Sequence, residues 1–135
     1  MIHETAIIDA TAKIADNVSI GAYSVIGAHV EIAEGTWVGP HVVINGTTKI
    51  GKDNRFFQFS SVGEQTQDKK FEGEETFLEI GDGNTFRECT TINRGAGHGG
   101  GITRIGNHNL FMAYVHIAHD CHVGNHVVFS NNASL

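Results

Sequence analysis

The stretch 14-IADNVSIGAYSVIGAHVEIAEGTWVGPHVVI-44 carries an aliphatic residue at every sixth position: Ile14, Ile20, Ile26, Ile32, Val38 and Ile44. An amphipathic helix repeats its apolar residues at intervals of three and four, and an ordinary strand at intervals of two. This stretch obeys neither rule. Four places after each aliphatic residue stands a small or β-branched one: Val18, Ser24, Val30, Thr36, Val42 and Thr48. The place directly after is often Gly or Ala, as in Gly21, Gly27, Ala33 and Gly39. The same period runs back to Ile2 and Ile8 and forward through Ile50, Phe56 and Val62. It resumes in phase at Ile80, Phe86 and Ile92, then shifts by one place to Ile105, Phe111, Ile117, Val123, Phe129 and Leu135.

A hexad period fits a parallel β-helix, in which each repeat is one short strand and a turn, and three repeats close a triangular coil of about 18 residues. The large residue points inward and stacks on its counterpart one coil away, at roughly the 4.8 Å separation of neighbouring strands. Burial of each such side chain contributes about 1.5–3 kcal/mol, so a narrow prism holds together without helices. The residue four places on fills the rest of the section, and the corner glycines are expected to supply backbone angles that other residues reach only with strain. The chain is therefore expected to be one all-β domain, 1–135, interrupted twice. The segment 64-EQTQDKKFEGEETFLE-79 carries eight charges and is expected to leave the prism as an arm. The glycine-rich segment 93-NRGAGHGGGITR-104 accounts for the change of phase. Long insertions in a compact repeat are often functional.

Composition narrows the function classes. The 135 residues hold no run of 18 apolar residues and no apolar N-terminal leader, which argues against a membrane span and for a cytoplasmic location. A net charge of −6 argues against a nucleic-acid partner. Cys89 and Cys121 form no CxxC motif and are expected to be reduced.

Chemistry concentrates in 115-VHIAHDCHVGNH-126, with four histidines, an aspartate and a cysteine. The hexad phase gives each an address. Ile117 is inward and Cys121 takes the small inward slot, so Cys121 reads as core filler rather than nucleophile. His119 and Asp120 fall at an outward corner, and His116 closes the preceding repeat beside the same groove. His122 and His126 belong to the following faces. Three chemistries remain open on spacing alone: a metal held by His116, His119 and His122, as in γ-class carbonic anhydrases; a general base at His119; or an inert polar corner.

The segments 63-GEQTQDKKFEGEET-76, 92-INRG-95, 98-HGGGITRIG-106, 109-NL-110, 116-HIAHDCHVGN-125 and 131-NNA-133 together resemble the UDP-N-acetylglucosamine O-acyltransferases of lipid A biosynthesis, a family of hexapeptide-repeat acyltransferases. The resemblance runs in order through the whole chain. It implies a left-handed parallel β-helix, assembled as a homotrimer with sites between neighbouring prisms. It implies transfer of a (R)-3-hydroxyacyl group from acyl carrier protein to the 3-hydroxyl of UDP-N-acetylglucosamine, the first step of that pathway, with no cofactor and no metal. By position, His119 is then the general base and Asp120 its orienting partner. His116, Gln67, Asp68 and Lys70 contact sugar nucleotide or acyl donor, the last three from an arm that crosses to an adjacent subunit. Two departures stand out. Asn93 occupies a place where several relatives carry His, and family members run on past residue 135 into further coils and a C-terminal helical domain, so the chain is expected to be a fragment with little activity alone. The competing readings are another hexapeptide-repeat acyl- or acetyltransferase, which the charged arm motif speaks against, a γ-class carbonic anhydrase-like zinc lyase, and a structural or ice-binding solenoid. For the last, Thr5, Thr11, Thr36, Thr47 and Thr48 form no regular outward face.

Overall fold

The computed structural model describes residues 1–135 and contains eighteen short strands and no helix. The first sheet holds β1 (Ile7–Ile8), β4 (Val25–Ile26), β7 (Val43–Ile44), β10 (Ser61–Glu64), β13 (Thr91–Asn93) and β16 (His116–Ile117). The second holds β2 (Lys13–Ile14), β5 (Val30–Ile32), β8 (Thr47–Ile50), β11 (Phe77–Ile80), β14 (Ile102–Ile105) and β17 (His122–Val123). The third holds β3 (Ser19–Ile20), β6 (Trp37–Val38), β9 (Arg55–Phe56), β12 (Thr85–Phe86), β15 (Leu110–Phe111) and β18 (Val128–Phe129). Consecutive strands always enter different sheets, and every pairing within a sheet is parallel, so three strands make one turn of a three-sided prism. The architecture is a left-handed parallel β-helix.

Register follows the hexad spine. Ile8 pairs with Ile26, Ile14 with Ile32 and Ile20 with Val38, each one coil apart. The spine residues from Ile20 to Val123 are buried in a single core. Along one side Phe56, Phe86, Phe111 and Phe129 stack face to face, with centroids 4.7, 4.6 and 5.0 Å apart. Beside them the buried Asn54, Asn84 and Asn109 form a ladder in which each Nδ2 donates to the preceding Oδ1 at 3.0 Å. The amides of Asn84 and Asn109 also donate to the carbonyls of Gly106 and Gly124 at 2.8 Å, so the buried ladder is paired along its length.

The corner glycines have a different reason from the expected one. Gly21, Gly39, Gly51, Gly81 and Gly106 are absent from the positive-φ set. What they lack is room: a Cβ on Gly81 would lie 2.6 Å from the Gly106 carbonyl oxygen, and one on Gly51 2.6 Å from that of Gly81. The left-handed residue comes two places later and is usually not glycine. Eleven such residues, among them Tyr23, His41, Asp53, Tyr114 and Asp120, hold φ between 54° and 66°. Gly63 is the exception, with φ +81° directly after the spine residue Val62.

Both insertions are shorter than their expected spans of 64–79 and 93–104. Glu64 still belongs to β10, and Phe77–Ile80 is already β11, paired with Thr47–Ile50. Leu78, a large residue in a slot usually filled by a small one, disguises the return; it is buried, as is Ile80. Likewise Asn93 ends β13, and Ile102–Ile105 is β14, paired with Phe77–Ile80.

Candidate active site

The arm leaves after β10, the glycine-rich loop after β13, and His119 with Asp120 follows β16. All three are first-sheet strands, so the three segments stack along one edge of the prism. Asp120 joins them. Its φ of 62° turns the corner, and its amide donates to Thr103 Oγ1 at 2.9 Å. One carboxylate oxygen accepts the amides of Ala96 at 3.1 Å and Gly101 at 2.9 Å. The other accepts Ala96 at 3.0 Å and His119 Nδ1 at 2.7 Å. A carboxylate accepts and does not donate, so Nδ1 carries the proton and Nε2 presents its lone pair outward. The His119 side chain is 34% exposed and that of Asp120 only 9%, so the imidazole is open and its anchor is not.

Asp68 of the arm lies on the far side of the ring, its Oδ2 3.9 Å from Nε2. That is beyond hydrogen-bonding distance. The arm is shaped by Thr66 Oγ1 accepting the Asp68 amide at 3.1 Å and by Asp68 Oδ1 accepting the Lys70 amide at 2.9 Å. Near its end, Glu74 accepts the Glu72 amide at 2.7 Å and the Gly97 amide at 3.1 Å. Hydrogen bonds from its own backbone and from Glu72, and then from Gly97, hold the Glu74 carboxyl below the usual glutamate range. At its root, Asn93 Nδ2 donates to the carbonyls of Glu64 and Gln65.

The profile of the bacterial transferase hexapeptide family (six repeats) matches residues 1–34 and 102–135. The chain belongs to this family. It is 60% identical over 134 residues to the acyl-(acyl-carrier-protein)–UDP-N-acetylglucosamine O-acyltransferase of Stenotrophomonas maltophilia (strain K279a), covering 99% of this chain and 51% of that protein. To the protein of the same name from Xylella fastidiosa it is 58% identical over 135 residues, 100% of this chain and 51% of that one. A solved structure of LpxA from Acinetobacter baumannii superposes with a TM-score of 0.97 at 53% identity, over 98% of this chain and 52% of that one. The chain spans about half the length of the curated relatives it matches.

Within this hexapeptide-transferase chain the candidate residues divide into two groups. His119, Asp120 and Asp68 converge, and His116 stands in the neighbouring strand with Nδ1 2.7 Å from Thr91 Oγ1. Gln67 and Lys70 lie exposed on the arm. The arm is tied at its root to the end of β13 by Asn93 and near its far end to the glycine-rich loop by Glu74. His122 stands apart on the second sheet opposite Arg104, and His126 stacks on His108 at 5.3 Å on another corner. No three His, Cys, Asp or Glu side chains are grouped to hold a metal ion, so the trio His116, His119 and His122 is not assembled. Cys121 packs against the core, and burial first, then Asp120, pushes its thiol up, away from nucleophile chemistry. A concavity of about 640 Å³ between Lys49, Glu79, Arg104 and His122 lies on the outer second sheet and contains none of the converging residues. Asn93, Glu74 and Thr103 are site residues that spacing did not reveal, since each acts through a partner in another coil.

Proposed function

We propose that this chain provides the base-bearing half of an acyltransferase that moves a (R)-3-hydroxyacyl group from acyl carrier protein to the 3-hydroxyl of UDP-N-acetylglucosamine, opening lipid A biosynthesis in the cytoplasm as a homotrimer. The observation that carries the reading is the His119 Nδ1 hydrogen bond to Asp120 at 2.7 Å, which leaves Nε2 free at an open edge. The names of the relatives at 60% and 58% identity supply the substrates.

In this reading Nε2 removes the proton from the sugar hydroxyl as its oxygen attacks the thioester carbonyl carbon. The new C–O bond forms, the C–S bond breaks, and the imidazolium returns its proton to the departing thiolate. Asp120 stabilises the imidazolium without taking its proton. A thioester is already activated, so holding the partners in place and moving one proton suffices, with no cofactor. Asp68 lies beside Nε2, and together with Gln67, Lys70 and His116 it is a proposed contact to sugar nucleotide and acyl donor.

The test uses a protein carrying this chain at the length of its relatives. With labelled 3-hydroxyacyl carrier protein and UDP-N-acetylglucosamine, His119→Ala is expected to cut turnover by about 10²–10⁴-fold, with the size-exclusion profile unchanged. Undiminished turnover rejects the role of His119, and no transfer by the unsubstituted protein rejects the reaction.

A further inference from the structure

We infer that Asn93 is a positioning residue: its carboxamide latches the root of the arm, and through it sets Asp68 opposite His119. Only the kinetic part of the test rests on the reading above. Three observations meet at this residue. First, the register between β10 and β13 slips at this point: Val62 pairs with Ile92, but Glu64 pairs with Asn93, leaving Gly63 as an extra residue with φ +81°. A bulge of this kind bends a strand and re-aims the residues after it, which here throws the chain out of the prism. A Cβ on Gly63 would lie 2.2 Å from the Asn45 carbonyl oxygen, so this exit is tightly seated.

Second, Asn93 is only 7% exposed, although it stands at the end of its strand. Its Nδ2 reaches the Glu64 carbonyl at 3.3 Å and the Gln65 carbonyl at 3.0 Å. The Glu64 carbonyl has a second donor in the Arg94 amide at 3.0 Å, whereas Asn93 is the only donor to Gln65. A buried polar group that loses its partner costs about 1–3 kcal/mol, so the arm's root and Asn93 hold one another. Third, the Thr66 slot follows at once: Thr66 is buried and accepts the Asp68 amide, so Asp68 is three residues from the latch with little slack between. The Glu74 bond to Gly97 closes the far end. The arm is then a short span fastened at both ends, with its carboxylate held 3.9 Å from Nε2.

The experiment compares the relative-length protein with Asn93→Asp, which keeps the shape and removes the donor. By hydrogen exchange followed with NMR, the amides of Asp68, Lys70 and Phe71, all bonded inside the arm, are expected to exchange about tenfold faster or more. Those of prism residues such as Thr91 and Leu110 should keep their rates. Unchanged arm exchange overturns the latch, and so does equal acceleration throughout the prism, which marks a merely structural residue. Kinetically, Asn93→Asp should lower kcat/KM about tenfold or more, and much less in an Asp68→Asn background. Full additivity of the two substitutions overturns the positioning role. Should Asn93→Asp fail to fold, Glu74→Ala at the other fastening is expected to free the same three amides, and their unaltered protection counts equally against the proposal. The exchange measurement needs no substrate, so failure of the latch and failure of the proposed reaction are told apart.

Discussion

In the proposed reaction the imidazole of His119 serves as a base only while Nδ1 keeps its proton, and the Asp120 carboxylate favours that state at 2.7 Å. Asp120→Asn tests this directly. An amide nitrogen placed where Oδ2 stands would donate to Nδ1 and drive the proton to Nε2, while the amide oxygen could still accept Ala96 and Gly101. Turnover is expected to fall by about 10²–10⁴-fold, with ring ¹⁵N shifts reporting the exchanged tautomer and the fold retained. Turnover near the unsubstituted value would show that the tautomer is set elsewhere. At this scale the hexad phase was informative, because it assigned Ile117 inward and His119 outward from spacing alone. Asn93 and Thr103 were invisible to it, since their worth depends on partners 29 and 17 residues away.

Among the elements, the corners separate two demands that a sequence merges under the word glycine. One is closeness between coils, the other a left-handed backbone. Gly81→Ala would press a methyl onto the Gly106 carbonyl oxygen, and a cost of about 1–3 kcal/mol is expected in urea unfolding. Asp53 holds φ 54° on the surface, so Asp53→Gly relieves strain that offsets the added chain entropy, and its stability should stay within about 1 kcal/mol of the parent. Equal losses from both substitutions would contradict the distinction. The arm adds a pH-dependent element. Because the folded-state Glu74 carboxyl titrates below its ordinary 4.5, its tether is complete above that value and is lost as pH falls through the lower folded one. The Gly97 amide shift is expected to titrate with a midpoint under 4.5. Glu74→Gln should abolish that transition, and a midpoint at or above the ordinary value would remove Glu74 as the partner.

For the molecule as a whole, stability is a sum of contacts between successive coils. Phe86 touches the coil on each side, stacking at 4.7 Å on Phe56 and 4.6 Å on Phe111. Phe86→Ala should therefore cost about 3–5 kcal/mol by denaturant unfolding, and a loss under about 1 kcal/mol would mean that the aromatic column is not continuous. The outer face of the second sheet carries Lys13, Glu31, Lys49, Glu79 and Arg104 in register, so opposite charges alternate across neighbouring strands, with His122 following Arg104. The sequence by itself determined the prism, its inward spine and the corner address of His119, because a six-residue period dictates facing through local geometry. Tertiary structure alone decided that the arm, the glycine-rich loop and that corner share one edge, and that Asp120 binds two of them. The physical reason is that insertions of unequal length break the period, and which amides then meet a carboxylate depends on strands packed from separate coils.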